Sequence, residues 1–262
     1  MEFRLYKGAW LPTVAPHLCE KQTEKELVRI LGGGGYFIKN TYDFDCEKQT
    51  QFWFVIKDSF GGIEELKSKK RNQVRKSLQV YDIRKVDKEE MLRWGYDICT
   101  KAIEHYKVKA EEISQAAFED RVRKHSGDFW MAYEKETGTA VAFSINILEG
   151  DSCNYSTIKV DPKYLGSTYP MYGLIYKMNE YYLQEKGFRY VNDGARSITE
   201  HSNIQPFLIQ TFNFRKAYCR IQLRYQWWFG VIVKFLYPFR KVIKQRKVHA
   251  ILYQEWMYRH SK

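Results

Sequence analysis

Residues 152–196 read SCNYSTIKVDPKYLGSTYPMYGLIYKMNEYYLQEKGFRYVNDGAR, and the order of elements inside them decides the fold. The first nine are rich in β-branched and aromatic side chains and read as a strand. PMYGLIYKMNEYYLQEKG carries Leu174, Met178 and Tyr181 at helical spacing, a core-facing pattern. FRYVND is again a strand, and it ends on Asp-Gly.

Outward from this stretch the same alternation continues. DFWMAYEK and AVAFSINILEG flank the turn ETGT, and SCNYSTIKV follows after GD, so three strands form an antiparallel meander. Two helices precede it. One is KEEMLRWGYDICTKAIEHY, with Asp87 as N-cap; the other is AEEISQAAFEDRVRKH, which ends near Gly127. Before them come the strands YFIKNTYDFD and QFWFVIKD, a cationic helix at about 63–79, and the strand VYDIRKV. Downstream, SNIQPFLIQTF reads as a helix, capped by Ser202 or Asn203, and KAYCRIQLRYQ as a strand. Helices alternating with strands predict an α/β chain with a mixed central sheet. The expected divisions are an N-terminal lobe over 1–62, a core over 63–226, and a basic, aromatic segment over 227–262.

A chain of 262 residues with 44% hydrophobic content can bury a core without disulfides or metals. The five cysteines are odd in number and widely spaced, with no CxxC or Cys/His grouping, which points to reduced thiols and no metal site. No window reaches the length of a membrane span and no apolar leader is seen, so a cytoplasmic location is expected, with peripheral contact at the inner membrane face. The net charge of +12 predicts attraction to polyanions: nucleic acid, anionic lipid or phosphorylated cofactors. GGGG at 32–35 lacks the Lys-Ser/Thr of a phosphate loop and reads as a turn.

Several local motifs, taken with their order along the chain, resemble the GNAT acyltransferase superfamily. VDPKYLG, residues 160–166, is similar to the V-x-P-x-Y-x-G segment that ends the fourth strand there, and FNF resembles the Gly-Phe closing the last helix. LKSKKRNQVRKSLQ and STYPMYGLIY…VNDGAR are similar to the basic helix and the Ser/Thr-x-Pro-G-x-L helix of the Fem-type branch, which serves peptidoglycan and polysaccharide assembly. The resemblance implies a donor, acyl-CoA (acetyl-CoA) or aminoacyl-tRNA, seated where the fourth and fifth strands splay apart. Lys159, Val160, Lys163, Gly166, Ser167 and Thr168 are its candidate binding residues. The chain departs from the CoA pattern, since Leu165, Thr168 and Pro170 stand where an Arg and glycines are usual. No Tyr stands at the usual acid position, which is Ile209, and no Lys lies between Pro206 and Asn213.

The junction after the Asp-Gly strand carries the other candidates. Asp193 stands at the carboxyl end of a strand, where ligands collect in open α/β sheets, and reads either as a group orienting the acceptor or as part of an Asp-Gly turn. Glu200 and His201 are candidate general bases, and Arg196 and Asn203 candidate substrate contacts; helix capping and local ion pairing are the structural readings of the same residues. The expected activity is transfer of an acetyl or aminoacyl group to an amine, on an amino sugar or a cell-wall or lipid-linked precursor. Nucleic acid is a partner only if the donor is tRNA. The alternative is a non-catalytic GNAT-fold module that binds nucleic acid or anionic membrane through its cationic helix and C-terminal segment.

Overall fold

The computed structural model describes residues 1–106, 113–198 and 203–261. In chain order the elements are β1 (Phe3–Tyr6), β2 (Ala9–Pro12), α1 (Glu24–Leu31), β3 (Phe37–Tyr42), β4 (Phe52–Lys57), α2 (Ser68–Val80), β5 (Tyr81–Val86) and α3 (Lys88–Glu104). There follow α4 (Gln115–Lys124), β6 (Asp128–Glu134), β7 (Ala140–Glu149), β8 (Ser152–Val160), α5 (Pro170–Asn179), β9 (Tyr190–Ala195), α6 (Ile204–Phe212), β10 (Arg215–Tyr225), α7 (Trp227–Leu236) and α8 (Arg246–Arg259).

Local chemistry explains most of the boundaries. Thr23 and Glu26 cap α1 reciprocally, the Thr23 hydroxyl accepting from the Glu26 N–H and the Glu26 carboxylate from the Thr23 N–H. Asp87 accepts from the Glu90 N–H to start α3, and Ser114 does the same for Ala117 in α4. Asn213, in the left-handed conformation at φ 56°, ends α6. Asn203, one of the two expected caps, stands at the N-cap of α6, though its side chain makes no capping bond; Ser202 lies outside the described residues.

The chain forms two compact units, Met1–Val55 with Ala195–Glu200 and Lys216–Lys262, and Ile56–Gly194 with His201–Arg215. The N-terminal segment and the C-terminal segment thus belong to one unit. In it β1-β2-β3-β10-β4 are neighbours in that order, β2 and β3 parallel, β1–β2 and β3–β10 antiparallel. Phe37, Phe52, Cys219, Ile221, Leu223 and Met257 form its buried centre.

In the second unit the order is β9-β8-β7-β6-β5, antiparallel throughout except for the parallel β8–β9 pair. Both faces are covered, and alternation along the strands sorts the side chains. Phe129, Met131, Tyr133, Phe143 and Ile145 face Met91, Ile98, Phe118 and Val122 of α3 and α4. At about 2 kcal/mol for each large apolar side chain removed from water, this layer supplies much of the unit's stability.

The opposite face carries a polar network. Tyr182 lies in a π-helical turn (Glu180–Glu185) that continues α5. Its hydroxyl donates to Asp128 (2.8 Å) and accepts from the Trp130 indole (3.0 Å) and the Asn146 amide (3.2 Å). Lys85 pairs with Asp128 at 2.7 Å, so the buried hydroxyl is matched on every side.

Candidate active site

The site begins with a mismatch between two strands. β8 and β9 pair only at Ser152↔Tyr190, Cys153↔Val191 and Asn154↔Asn192, although β8 runs on to Val160. Just beyond the last pair, β8 bulges: Tyr155 and Ser156 together face Asn146 of β7, because the register passes from Ile147↔Asn154 to Ile145↔Thr157. A bulge adds a residue and increases twist, which turns β8 away from its neighbour. From there to Val160 the edge of β8 toward β9 has no partner strand among the described residues.

The backbone on that edge has a definite polarity. Asp161 donates its N–H to the Val141 carbonyl at 2.8 Å, on the β7 side. By the alternation of an antiparallel ladder, the N–H groups of Val160 and Ile158 point to the side that β9 has left. Fixed N–H donors aimed into such a cleft can polarise a carbonyl oxygen.

Across the cleft, β9 closes on Asn192. Its side-chain amide donates to the Cys153 carbonyl (3.3 Å), and its oxygen accepts from the Gly194 N–H (2.9 Å), with Gly194 at φ 80°. This bracket presents Asp193 as the first residue past the pairing. Burial pushes the Asp193 carboxyl up to about 7, and a hydrogen bond from Gln205 in α6 only partly offsets it. A carboxylate near neutrality takes and returns a proton readily, and it is the group here best matched to that task. Asn192 and Gln205 were not singled out from the sequence, because an Asn in a strand and a Gln in a helix carry no distinctive pattern.

The expected donor-binding residues are differently occupied. Lys159 donates to the Tyr106 hydroxyl at 2.7 Å and stands over its ring. The Thr168 hydroxyl is hydrogen-bonded to Tyr81. Lys163 receives, at its backbone N–H, the cap from Asp161, and its ammonium lies over Tyr164. Val160 is buried, whereas Gly166 and Ser167 are exposed. At the start of α5, Pro170 has no N–H and Tyr172 donates its own to the Tyr169 carbonyl. Tyr169 itself adopts φ 59°, costly for an aromatic residue, with Lys76 over its ring and Tyr172 edge-on to it. Of residues 170–172 only Met171 keeps a backbone donor for an anion.

Arg196 is held by protein groups. It donates to the Gln51 carbonyl (2.9 Å) and the Tyr253 hydroxyl, and its guanidinium lies 4.1 Å from the Trp53 ring centre. Glu200 and His201 lie outside the described residues. Among the described residues no cluster of three or more His, Cys, Asp or Glu could hold a metal ion.

No family model matches the sequence, and no curated protein sequence is significantly similar to it. Solved structures are similar in fold. FemX matches with a TM-score of 0.55 at 10% identity, over 74% of this chain and 73% of that one. The C-terminal domain of a putative lysylphosphatidylglycerol synthetase from Agrobacterium fabrum matches with 0.53 at 9% identity, over 84% and 78%. L-PGS from Bacillus licheniformis matches with 0.50 at 13%, over 86% and 79%. The fold is GNAT-like. In the expected strand numbering β8 and β9 are the fourth and fifth strands, and their pairing ends after Asn154↔Asn192.

Proposed function

We propose that the chain is an acyltransferase working at the β8–β9 cleft, with Asp193 as the proton acceptor. The observation that carries the reading is the separation of these two strands directly after Asn154 and Asn192, with a near-neutral carboxyl as the next residue. An acceptor amine attacks the donor carbonyl carbon; a C–N bond forms as the C–O or C–S bond to the carrier breaks. The N–H groups of Ile158 and Val160 stabilise the oxyanion. The proton lost by the attacking nitrogen passes to Asp193, which returns it to the departing oxygen or sulfur, so the carrier leaves as its alcohol or thiol.

Two donors suit such a cleft, an acyl-CoA and an aminoacyl ester on tRNA. The α5 start favours the second, since it offers an anion one donor where a pyrophosphate needs several. Lys67, at the N-cap of α2, and Lys69, Arg75 and Lys76, exposed on the helix, supply a cationic surface suited to a nucleic-acid carrier. The acceptor is an amine on an amino sugar or a cell-wall or lipid-linked precursor.

The test is transfer of radiolabelled acyl groups from acetyl-CoA and from mixed aminoacyl-tRNA to glucosamine and amine-bearing precursors. Product from aminoacyl-tRNA, reduced about 100-fold or more in Asp193→Asn, is expected. Absence of transfer from every donor, with the chain folded, would instead favour a binding module.

A further inference from the structure

The helix α7 presents apolar side chains to solvent that nothing in the described chain covers. Its inner face is accounted for: Phe229 stacks on Tyr36 and Phe37, Val233 is buried, and Gln226 anchors the helix start to the Leu31 carbonyl at 2.8 Å. The outer face is equally apolar. Trp227 is 81% exposed, Val231 61% and Phe235 73%, at positions i, i+4 and i+8 along about 12 Å of helix. Val242, at 77%, extends the surface past the helix end. Trp228 meets Tyr36 edge-on at 5.9 Å and carries the patch onto the neighbouring strand start.

The charge carried by this stretch of the chain has one sign. Lys234, Arg240, Lys241, Lys244, Arg246 and Lys247 lie within or directly after the helix, and residues 226–254 contain no Asp or Glu. A second copy docked symmetrically on the same face would set these cations against one another, with no carboxylate from 226–254 to offset them. Nucleic acid would use the aromatic rings, yet Val231, Ile232 and Val242 offer no face on which a base can stack. An anionic bilayer satisfies both features, with tryptophan and phenylalanine at the headgroup boundary and cations at the phosphates. No described helix is long and apolar enough to cross a membrane, so the contact is with one leaflet.

We infer that α7 and the basic turn after it form a docking surface for an anionic membrane leaflet, inserted through Trp227, Val231 and Phe235. This is independent of the acyl-transfer reading, since it requires no chemistry.

The experiment is co-sedimentation of the full chain with vesicles of phosphatidylcholine alone and of phosphatidylcholine mixed equally with phosphatidylglycerol. Binding to the mixed vesicles and little to the neutral ones is expected. Trp227→Ser with Phe235→Ser should lower the partition coefficient at least tenfold with an unchanged circular-dichroism melt. Replacing Lys241, Lys244 and Lys247 by Gln should lower it about fivefold for each cation and abolish the preference for anionic lipid. Vesicle binding unaffected by the Trp227/Phe235 double change would overturn the inference, as would no binding to mixed vesicles. A concentration-dependent dimer, abolished by the same double change, would assign the surface to a second copy.

Discussion

Burial holds the Asp193 carboxyl near 7, against an ordinary value of 3.8, so the folded chain keeps a proton that the unfolded chain releases between those pH values. The stabilisation from this proton is complete below about 3.8 and is lost as pH rises through about 7. Asp193→Asn removes the dependence: thermal melts should show the variant gaining on the parent between pH 4 and pH 8, even as turnover falls. The pH profile of kcat/KM in the parent should rise with a midpoint near 7, as the carboxylate becomes the base. At Arg196 the cost is of another kind. Its guanidinium lies against Trp53 and donates to Gln51 and Tyr253, so Arg196→Lys should lower stability by about 2 kcal/mol in urea titrations. A loss of turnover at unchanged stability would return Arg196 to the substrate.

Among the elements, α5 is the one whose placement the cleft depends on most, because it connects β8 to β9. It lies close against α2: a Cβ on Gly173 would meet the Ser77 hydroxyl at 2.4 Å and the Ile83 methyl at 2.5 Å. Gly173→Ala should therefore destabilise by about 1–3 kcal/mol through overpacking, readable as a drop in Tm. Beyond α5, the π-helical turn points Tyr182 into the sheet. Tyr182→Phe removes the hydroxyl that matches Asp128, Trp130 and Asn146 and should cost about 2–3 kcal/mol, because polar groups are left buried without partners. The strand and helix order around α5 was legible from period and turn residues alone, as was the Asp87 cap. The hairpin β1–β2, joined through Lys7 and Gly8, was not, since FRLY and AWLP are too short to show a period.

For the whole molecule, the net charge of +12 makes every polyanion contact salt-dependent. With a tRNA-borne donor, KM should rise at least tenfold between about 50 and 200 mM salt, whereas a small uncharged ester donor should show no such change. Steady-state kinetics across that range distinguish the two.

Local interactions are written in short spans of residues, which is why the element order, the cationic character of α2 and 227–262, and the resemblance of VDPKYLG and VNDGAR to a fold were available without coordinates. Asp193 could be named for the same reason, as the end of a strand. Its elevated proton affinity could not, because that comes from the chain folded over it, Gln205 included. Nor could the fate of Arg196, whose partners Gln51 and Tyr253 lie 145 and 57 residues away. The bulge at Tyr155 and Ser156 exists only relative to Asn146 on the facing strand, so the point at which the strands part is a property of pairing between distant segments and was decided by the tertiary structure.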